Sequence, residues 1–441
     1  MPVLGILASA GGGNYWLDSI IKASDQSVLL GVIGVGVTAS DEILLPFYHN
    51  TAEGVAKISS SGTYQWAKAL NLRSTGTVIF NDLTVDSSGN AYAVYSFYTP
   101  GKTGTIKFDS TGAIVWQKDQ YEPSTATWLA HRAALDSSIN IYSCGQRNGG
   151  GYATGLLYKI NSSGTLQWAV SLRGFSDPAG AVYVSDVHYD VVVSSGGNSY
   201  VIGSHGNTSG SYGREGHVVK YNSSGAVQWQ RNISDSGQTS ANQNTNGLGI
   251  AIDSSENSYV LFSSTAGASA HLIKYNSSGA LQWQRKFTDT LTVGTSWSVK
   301  TDTSGNVYVA GTNTDGVTIL KYNTSGTLQW QRLITSSGAT KPYNPSIVIN
   351  SQQNLIVAAT NDTSYTGSIL LTLPNNGSRT GVITIPSNGT VTYSVNTSIT
   401  DASSSLTDAS VSMTATTLSG TQATTTYTAT TETLSVTKVS I

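Results

Sequence analysis

The sequence contains little cysteine and little charge. Cys144 is the single cysteine among 441 residues, so no internal disulfide can form and stability must come from buried side chains. Its apolar surroundings in the sequence predict a buried, inert thiol. Charged residues make up 11% of the chain and the formal net charge is −2. This balance excludes the basic surface of a nucleic-acid-binding protein.

Recognisable catalytic motifs are also missing. The Ser-rich runs lack the Gly-x-Ser-x-Gly elbow of hydrolases. The histidines show neither His-x-His nor His-Glu-x-x-His spacing. These histidines are His49, His131, His188, His205, His217 and His271. We therefore predict no catalytic residue, no metal site, no cofactor and no enzymatic activity.

The N-terminus does not have the features of an export signal. Residues 1–10 form a short apolar run without a basic region before it, and the run is too short to span a membrane. The sequence thus predicts no membrane insertion.

A repeated hairpin is the dominant feature of the chain. Its clearest copy, at 321–332, reads Lys-Tyr-Asn-Thr-Ser-Gly-Thr-Leu-Gln-Trp-Gln-Arg, with alternating residues on both sides of a tight turn. The turn glycine recurs at intervals of 47 to 61 residues, at Gly62, Gly112, Gly164, Gly225, Gly279, Gly326 and Gly377. A tryptophan follows most copies by four residues, at Trp66, Trp116, Trp168, Trp229, Trp283 and Trp330. We interpret these tryptophans as packing residues between units, and expect Trp283 to be largely buried.

A second hairpin precedes the first in each unit, so each unit carries four strands, A to D. Seven such units predict an all-β fold, a seven-bladed β-propeller of four-stranded antiparallel blades. We place a short N-terminal arm at 1–18, the propeller at 19–385 and a Ser/Thr-rich, β-prone C-terminal extension at 386–441. The first blade is expected to open with a degraded A–B hairpin at 20–31, followed by an insertion at 32–54. The extension is expected either to close the ring or to join a neighbouring subunit.

The repeat resembles a known family. Asp302-x-Ser-Gly-Asn-Val-Tyr-Val-Ala-Gly, followed by the unit that begins at Lys321, is similar to the SBBP-type repeat of bacterial and phage β-propellers. This resemblance implies a scaffold without an activity of its own. The blades are more distantly similar to those of quinone-dependent alcohol dehydrogenases, but a single cysteine cannot supply their vicinal disulfide. Residues 1–13 resemble the short leader of structural proteins of marine tailed phages.

The turns predict two different faces. The A–B and C–D turns are short and uniform, whereas the B–C and D–A loops on the opposite face vary, and loops of that kind usually bind partners. Aromatic residues in or near the variable loops are the candidate binding residues: Tyr121, Trp128, Tyr152, Phe175, Tyr212, Trp297 and Tyr343. We interpret the recurring turn aspartates as turn caps rather than calcium ligands. Lysines and arginines recurring on strands C and D are interpreted as solvated outer residues with buried stems.

Low charge, a propeller and no export signal favour a non-enzymatic phage virion protein located in the extracellular particle. It would be a tail, fibre or decoration component, oligomeric in the assembly, attached to other virion proteins through its termini and facing a host-surface glycan or protein. A secreted or surface bacterial adhesion propeller is the first alternative. A propeller enzyme acting on glycans is the second.

Overall fold

A computed structural model describes most of the propeller and isolated strands at both ends. The described ranges with side chains are 34–46, 53–70, 79–97, 101–122, 126–173, 185–206, 213–234, 244–265, 269–287, 297–336, 342–359 and 370–378, together with residue 394. For the remaining strands only the backbone is described.

Seven four-stranded antiparallel blades form a ring, which confirms the predicted seven-bladed propeller. The described residues contain no helix of the length and apolarity needed to cross a membrane. Large apolar and aromatic side chains fill the space between adjacent blades, since most of the buried clusters combine residues of two neighbouring blades. Cys144 is fully buried in one of these clusters, as predicted.

The strands follow one another in chain order around the ring. The N-terminal strands are β1 (Ile6–Ala8), β2 (Trp16–Ile20), β3 (Lys22–Ala23) and β4 (Val28–Leu29). Blade 1 contains β5 (Gly36–Val37), β6 (Ile43–His49), β7 (Ala52–Ile58) and β8 (Tyr64–Leu70). Blade 2 contains β9 (Val78–Val85), β10 (Ala91–Phe97), β11 (Lys102–Phe108) and β12 (Ile114–Tyr121). Blade 3 contains β13 (Thr127–Leu135), β14 (Ile141–Gly149), β15 (Tyr152–Ile160) and β16 (Leu166–Arg173).

Blade 4 contains β17 (Val184–Val193), β18 (Ser199–Asn207), β19 (Glu215–Tyr221) and β20 (Val227–Ser234). Blade 5 contains β21 (Thr245–Ile252), β22 (Ser258–Ser264), β23 (Ser269–Tyr275) and β24 (Leu281–Thr288). Blade 6 contains β25 (Ser298–Thr301), β26 (Val307–Asn313), β27 (Gly316–Tyr322) and β28 (Leu328–Ser336). Blade 7 contains β29 (Tyr343–Ile349), β30 (Leu355–Thr360) and β31 (Ser368–Leu373).

The residues that follow blade 7, including the C-terminal extension, form short strands. These are β32 (Gly381–Ile385), β33 (Gly389–Val395), β34 (Thr400–Ser403), β35 (Thr407–Ser410), β36 (Thr414–Thr417), β37 (Thr421–Thr424), β38 (Ala429–Glu432) and β39 (Leu434–Ser435). Strands β33 to β38 pair in turn with the outer strands of blades 6, 5, 4, 3, 2 and 1. The extension therefore runs backwards around the rim and covers edges that would otherwise be open to pairing with other chains. Contact of either terminus with other proteins stays a prediction.

Blade 7 is completed from the N-terminus. Strand β2 pairs antiparallel with β31, and β1 pairs with β2. The register places Leu17 opposite Leu371, so Trp16 stands at the level of Thr372. In blade 6 the equivalent pair is Lys321 and Trp330. Trp16 thus occupies, in register, the place of the repeated tryptophan in the seventh blade.

The inner hairpin of blade 1 lies later in the chain than predicted. Strands β5 and β6 pair across a turn at 38–42, inside the segment that the sequence assigns to an insertion. Asp41 takes a φ of 61° there, at the position that Gly89, Gly197 and Gly305 occupy in three of the other six A–B turns. The turn also ends at Glu42, where the other six A–B turns end in asparagine, so the hairpin lacks the residue that marks the repeat.

The A–B turns are capped by their aspartates, as predicted. In blade 6, Asp302 Oδ1 accepts backbone N–H bonds from Ser304 and Asn306 at 3.0 and 2.8 Å. Asp302 Oδ2 accepts bonds from the Asn306 side chain at 2.7 Å and from Tyr308 Oη at 2.9 Å. Asp86, Asp136 and Asp253 make the same set of bonds.

Each repeated tryptophan joins its blade to the next C–D turn. Trp283 packs against the apolar core between blades 5 and 6, and its Nε1 donates to the Thr324 carbonyl at 3.1 Å. Its ring lies under Gly326, where a Cβ would come within 2.7 Å of it, and Gly326 also has a φ of 77°. Only glycine meets both requirements.

The repeated lysines contact the same C–D turns of the next blade. Lys274 Nζ donates to the Thr324 carbonyl at 3.0 Å and lies 5.0 Å from the centre of the Tyr259 ring. Lys220 and Lys274 are only 8% and 9% exposed. The prediction that these lysines are solvated outer residues is therefore wrong, because they bind the carbonyl of the neighbouring turn. Arg231 Nε similarly donates to the Gly279 carbonyl at 2.7 Å.

Candidate functional site

A cavity of about 420 Å³ lies in the central channel among the inner strands of the blades. Three neighbouring blades place charged residues at one level of its wall, four residues before their A–B turns: Asp82, Arg132 and Asp190. Asp82 Oδ2 accepts the Ala133 N–H at 2.8 Å, and Asp190 Oδ2 accepts the Ile250 N–H at 3.1 Å. Asp82 thus joins blade 2 to blade 3, and Asp190 joins blade 4 to blade 5.

The Asp82 carboxyl is buried in this wall. Loss of hydration raises its pKa to about 6, with the nearby Asp190 acting in the same direction, while Arg132 and the Ala133 N–H oppose the rise. The carboxyl therefore changes its charge in a mildly acidic range.

His131 and Tyr189 lie side by side one residue nearer the variable face. Both occupy a register shift in their inner strands, and their rings stack with centroids 6.1 Å apart and planes 7° apart. His131 Nδ1 lies 2.9 Å from the His188 carbonyl. Since a carbonyl only accepts, Nδ1 carries the proton and Nε2 holds the lone pair of the neutral ring. Burial lowers the pKa of His131, which favours this neutral form.

The two residues have polar neighbours. Tyr189 Oη accepts a hydrogen bond from Ser204 Oγ at 3.1 Å. Arg132 Nη1 donates to the carbonyls of Asn81 and His131, both at 3.1 Å. The neutral imidazole of His131 therefore lies against the Tyr189 phenol and within electrostatic reach of the Arg132 guanidinium, and this set can move a proton beside a positive charge.

Blade 4 also contains two rows of residues that run across its strands β17, β18 and β19. In one row Asp186, His205 and Glu215 stand opposite one another on β17, β18 and β19. In the other, His188, Gly203 and His217 do the same two residues further along. Because residues two apart share a face of a sheet, the rows lie side by side. Gly203 has no side chain, so the His188 and His217 rings meet across it with centroids 5.3 Å apart.

Asp186, His205 and His217 each offer one ligand atom, and these atoms lie within 4.8 Å of one another. The linear spacing of the histidines gave no sign of this grouping. The available signal was the pair Asp186-x-His188 and Glu215-x-His217, read on strands that the repeat predicts to be neighbours.

The predicted binding aromatics have several different locations. Trp128 is fully buried and stacks on Tyr158 with centroids 5.9 Å apart. Trp297 is 8% exposed and covers Gly311 beside the cavity. The half-buried residues are Tyr121, Tyr152 and Tyr343, and Tyr152 lies against the Arg173 guanidinium at 4.3 Å. Phe175 and Tyr212 lie outside the described residues.

No family model matches this chain, and no curated protein matches it. Solved propellers do match it. An ulvan lyase of polysaccharide lyase family PL25, bound to -[GlcA(1-4)Rha3S]-, is 10% identical with a TM-score of 0.50, over 81% of this chain and 96% of its own. An oligogalacturonate lyase in complex with manganese is 10% identical with a TM-score of 0.50, over 85% and 97%. The polysaccharide lyase Uly1 is 9% identical with a TM-score of 0.50, over 83% and 91%.

At these identities the likeness establishes the propeller fold. It also corrects the prediction of a non-enzymatic virion protein, since these three propellers, which match over more than nine-tenths of their own length, are lyases. The argument for a scaffold without activity had rested on the fold and its repeat, and a propeller fold does not exclude catalysis.

Proposed function

We propose that this protein is a polysaccharide lyase that cleaves a uronate-containing glycan at the channel mouth on the variable face. The observation that carries this proposal is the stacked pair of His131 and Tyr189 beside the Arg132 guanidinium. The lyase activities named for the three propellers of like fold support it.

The chemistry assigned to the pair is β-elimination. His131 Nε2 removes the proton from C5 of the uronate, beside the carboxylate. The positive charge of Arg132 stabilises the negative charge that develops on this carboxylate. The electron pair of the broken C5–H bond forms the C4–C5 double bond as the C4–O4 bond breaks. Tyr189 Oη gives its proton to the departing O4. The step needs no water, oxidant or reductant.

The half-burial of both residues fits these roles. His131 must be neutral to accept a proton, and burial lowers its pKa in that direction. Ser204 Oγ holds Tyr189 Oη in place at 3.1 Å. The variable loops around the mouth would select the glycan.

The test is incubation of the purified full chain with ulvan, polygalacturonate and other uronate polysaccharides. Product formation is followed by the ultraviolet absorbance of the unsaturated uronate end. Wild type should form this product on at least one polysaccharide, and His131→Gln and Tyr189→Phe should each lose about 100-fold or more in kcat. Tyr64→Phe is the matched control, because this half-buried tyrosine follows the C–D turn of blade 1 on the opposite face of the propeller. No unsaturated product from any uronate glycan, or a Tyr189→Phe variant as active as Tyr64→Phe, would overturn the proposal.

The SBBP-type assignment of the repeat is likewise a proposal. The recurring Asp-x-Ser-x-Asn turns and their shared bonding pattern support it.

A further inference from the structure

The polar rows of blade 4 bring together a donor set that the lyase chemistry does not use. Asp186, His205 and His217 are 0%, 7% and 0% exposed, and they come from three adjacent strands. One carboxylate oxygen and two imidazole nitrogens lie within 4.8 Å of one another. Two histidines and one carboxylate are a common ligand set for divalent transition metals.

His205 is oriented as a metal ligand would be. Its Nε2 lies 3.4 Å from Glu215 Oε2, which also accepts a bond from Asn232 Nδ2 at 2.5 Å. With Nε2 directed at a carboxylate, Nδ1 is left as the donor atom, and Nδ1 is buried without a hydrogen-bond partner among the described residues. Metal-binding histidines typically have such a carboxylate behind them, which fixes their tautomer.

His217 gives the second, independent observation. Neither of its ring nitrogens has a hydrogen-bond partner among the described residues, although the side chain is fully buried. Buried polar groups are nearly always satisfied, so an imidazole with two unpartnered nitrogens requires an explanation. The space for this ring exists because residue 203 is glycine, since a Cβ there would come within 2.4 Å of His217 Nε2.

We propose that Asp186, His205 and His217 bind one divalent transition-metal ion, of the zinc or manganese class, within blade 4. Imidazole ligands favour these ions over Ca²⁺ and Mg²⁺, which prefer oxygen. The ion would join β17, β18 and β19 near their variable-face ends. The inference does not depend on the proposed lyase activity, because its test measures metal binding alone.

The experiment is calorimetric titration of the chelator-treated full chain with Zn²⁺, Mn²⁺ and Co²⁺, with Ca²⁺ and Mg²⁺ as comparison ions. Wild type should bind one equivalent of a transition metal with a rise in Tm, and should bind neither Ca²⁺ nor Mg²⁺ at this site. Bound Co²⁺ should show a visible absorption spectrum typical of nitrogen and oxygen ligands.

Variants assign the binding to these residues. His217→Leu and Asp186→Asn should abolish stoichiometric binding, and Glu215→Gln should weaken it about 10–100-fold. His271→Leu is the matched control, because His271 occupies the same position in blade 5 but has a partner in Ser269 Oγ at 2.9 Å. His205→Ala provides a second loss-of-binding variant near the strand ends in case His217→Leu does not fold. Absence of one-equivalent binding by wild type, or undiminished binding by a folded His217→Leu or His205→Ala variant, would overturn the proposal.

Discussion

Blades 4 and 5 have the same four strands, and in both a tryptophan and a lysine contact the C–D turn of the next blade. The two blades differ at the end near the variable face. The rows Asp186–His205–Glu215 and His188–Gly203–His217 of blade 4 correspond by register to rows in blade 5. Those are Thr245–Ser264–Ser269 and Gly247–Phe262–His271. Blade 5 places a phenyl ring where blade 4 has a glycine between two imidazoles.

The difference separates what the fold needs from what a site needs. In blade 5 the corresponding side chains have partners. Phe262 is fully buried in an apolar cluster, and His271 bonds to Ser269. Blade 4 keeps ionisable rings, one of them without partners, in the same place. Buried polar groups without partners destabilise a fold, so stability alone does not explain these rings. A ligand that binds the rings would explain them.

The largest effect should come from removing the ring that fills blade 5. Phe262→Ala deletes a fully buried phenyl group, and we expect the free energy of unfolding to fall by about 3–5 kcal/mol. Urea denaturation followed by tryptophan fluorescence would measure it. A loss below about 1 kcal/mol would mean that this side chain is not a core residue and that the blades differ less than they appear to.

A smaller loss is expected from adding a methyl group to blade 4. A Cβ at Gly203 would come within 2.1 Å of the Val187 carbonyl oxygen and 2.4 Å of His217 Nε2, so Gly203→Ala should cost about 1–3 kcal/mol. Gly196→Ala is the control in the same blade, because its Cβ would meet nothing closer than 3.9 Å. Equal stability of the two variants would show that the space between the imidazoles is not closely packed.

The repeat explains how much of this could be predicted. The period predicts the number of blades. The turns at Asp302 and Gly326 are also predictable, because they depend only on hydrogen bonds and backbone angles within a few residues. The grouping of His205 with His217 depends instead on which residues face each other across strands, so the sequence gives it only after the register is known. Strands β34 to β38 on the rim are four-residue segments rich in Ser and Thr, without an apolar pattern. Their one signal is spacing, since β34 to β37 begin seven residues apart.

The comparison extends into the channel, where blade 4 contributes Asp190 and blade 5 has Gly249 at the same level. Asp82, whose pKa is raised to about 6 from 3.8, binds its proton more tightly in the folded chain than in the unfolded one. Its contribution to stability is therefore complete below about pH 4 and is lost as the pH rises through about 6, a decrease of about 2–3 kcal/mol. Asp82→Asn should remove this decrease, and Asp190→Asn should reduce it. Stability curves of the three proteins between about pH 4 and 7 would show this, and parallel curves would contradict it.

The smallest expected effect is a difference in the sign of the stability change between His217→Leu and His271→Leu. In metal-free protein, His217→Leu removes two ring nitrogens that have no partners among the described residues, so stability should stay the same or rise by up to about 1 kcal/mol. His271→Leu breaks the bond to Ser269 Oγ and should cost about 1 kcal/mol. Adding Zn²⁺ should then stabilise wild type and His271→Leu but not His217→Leu, because only a ligand that binds the folded state shifts the equilibrium. If both variants lose the same stability without metal and both gain the same amount with it, the two histidines are equivalent and blade 4 is built like blade 5.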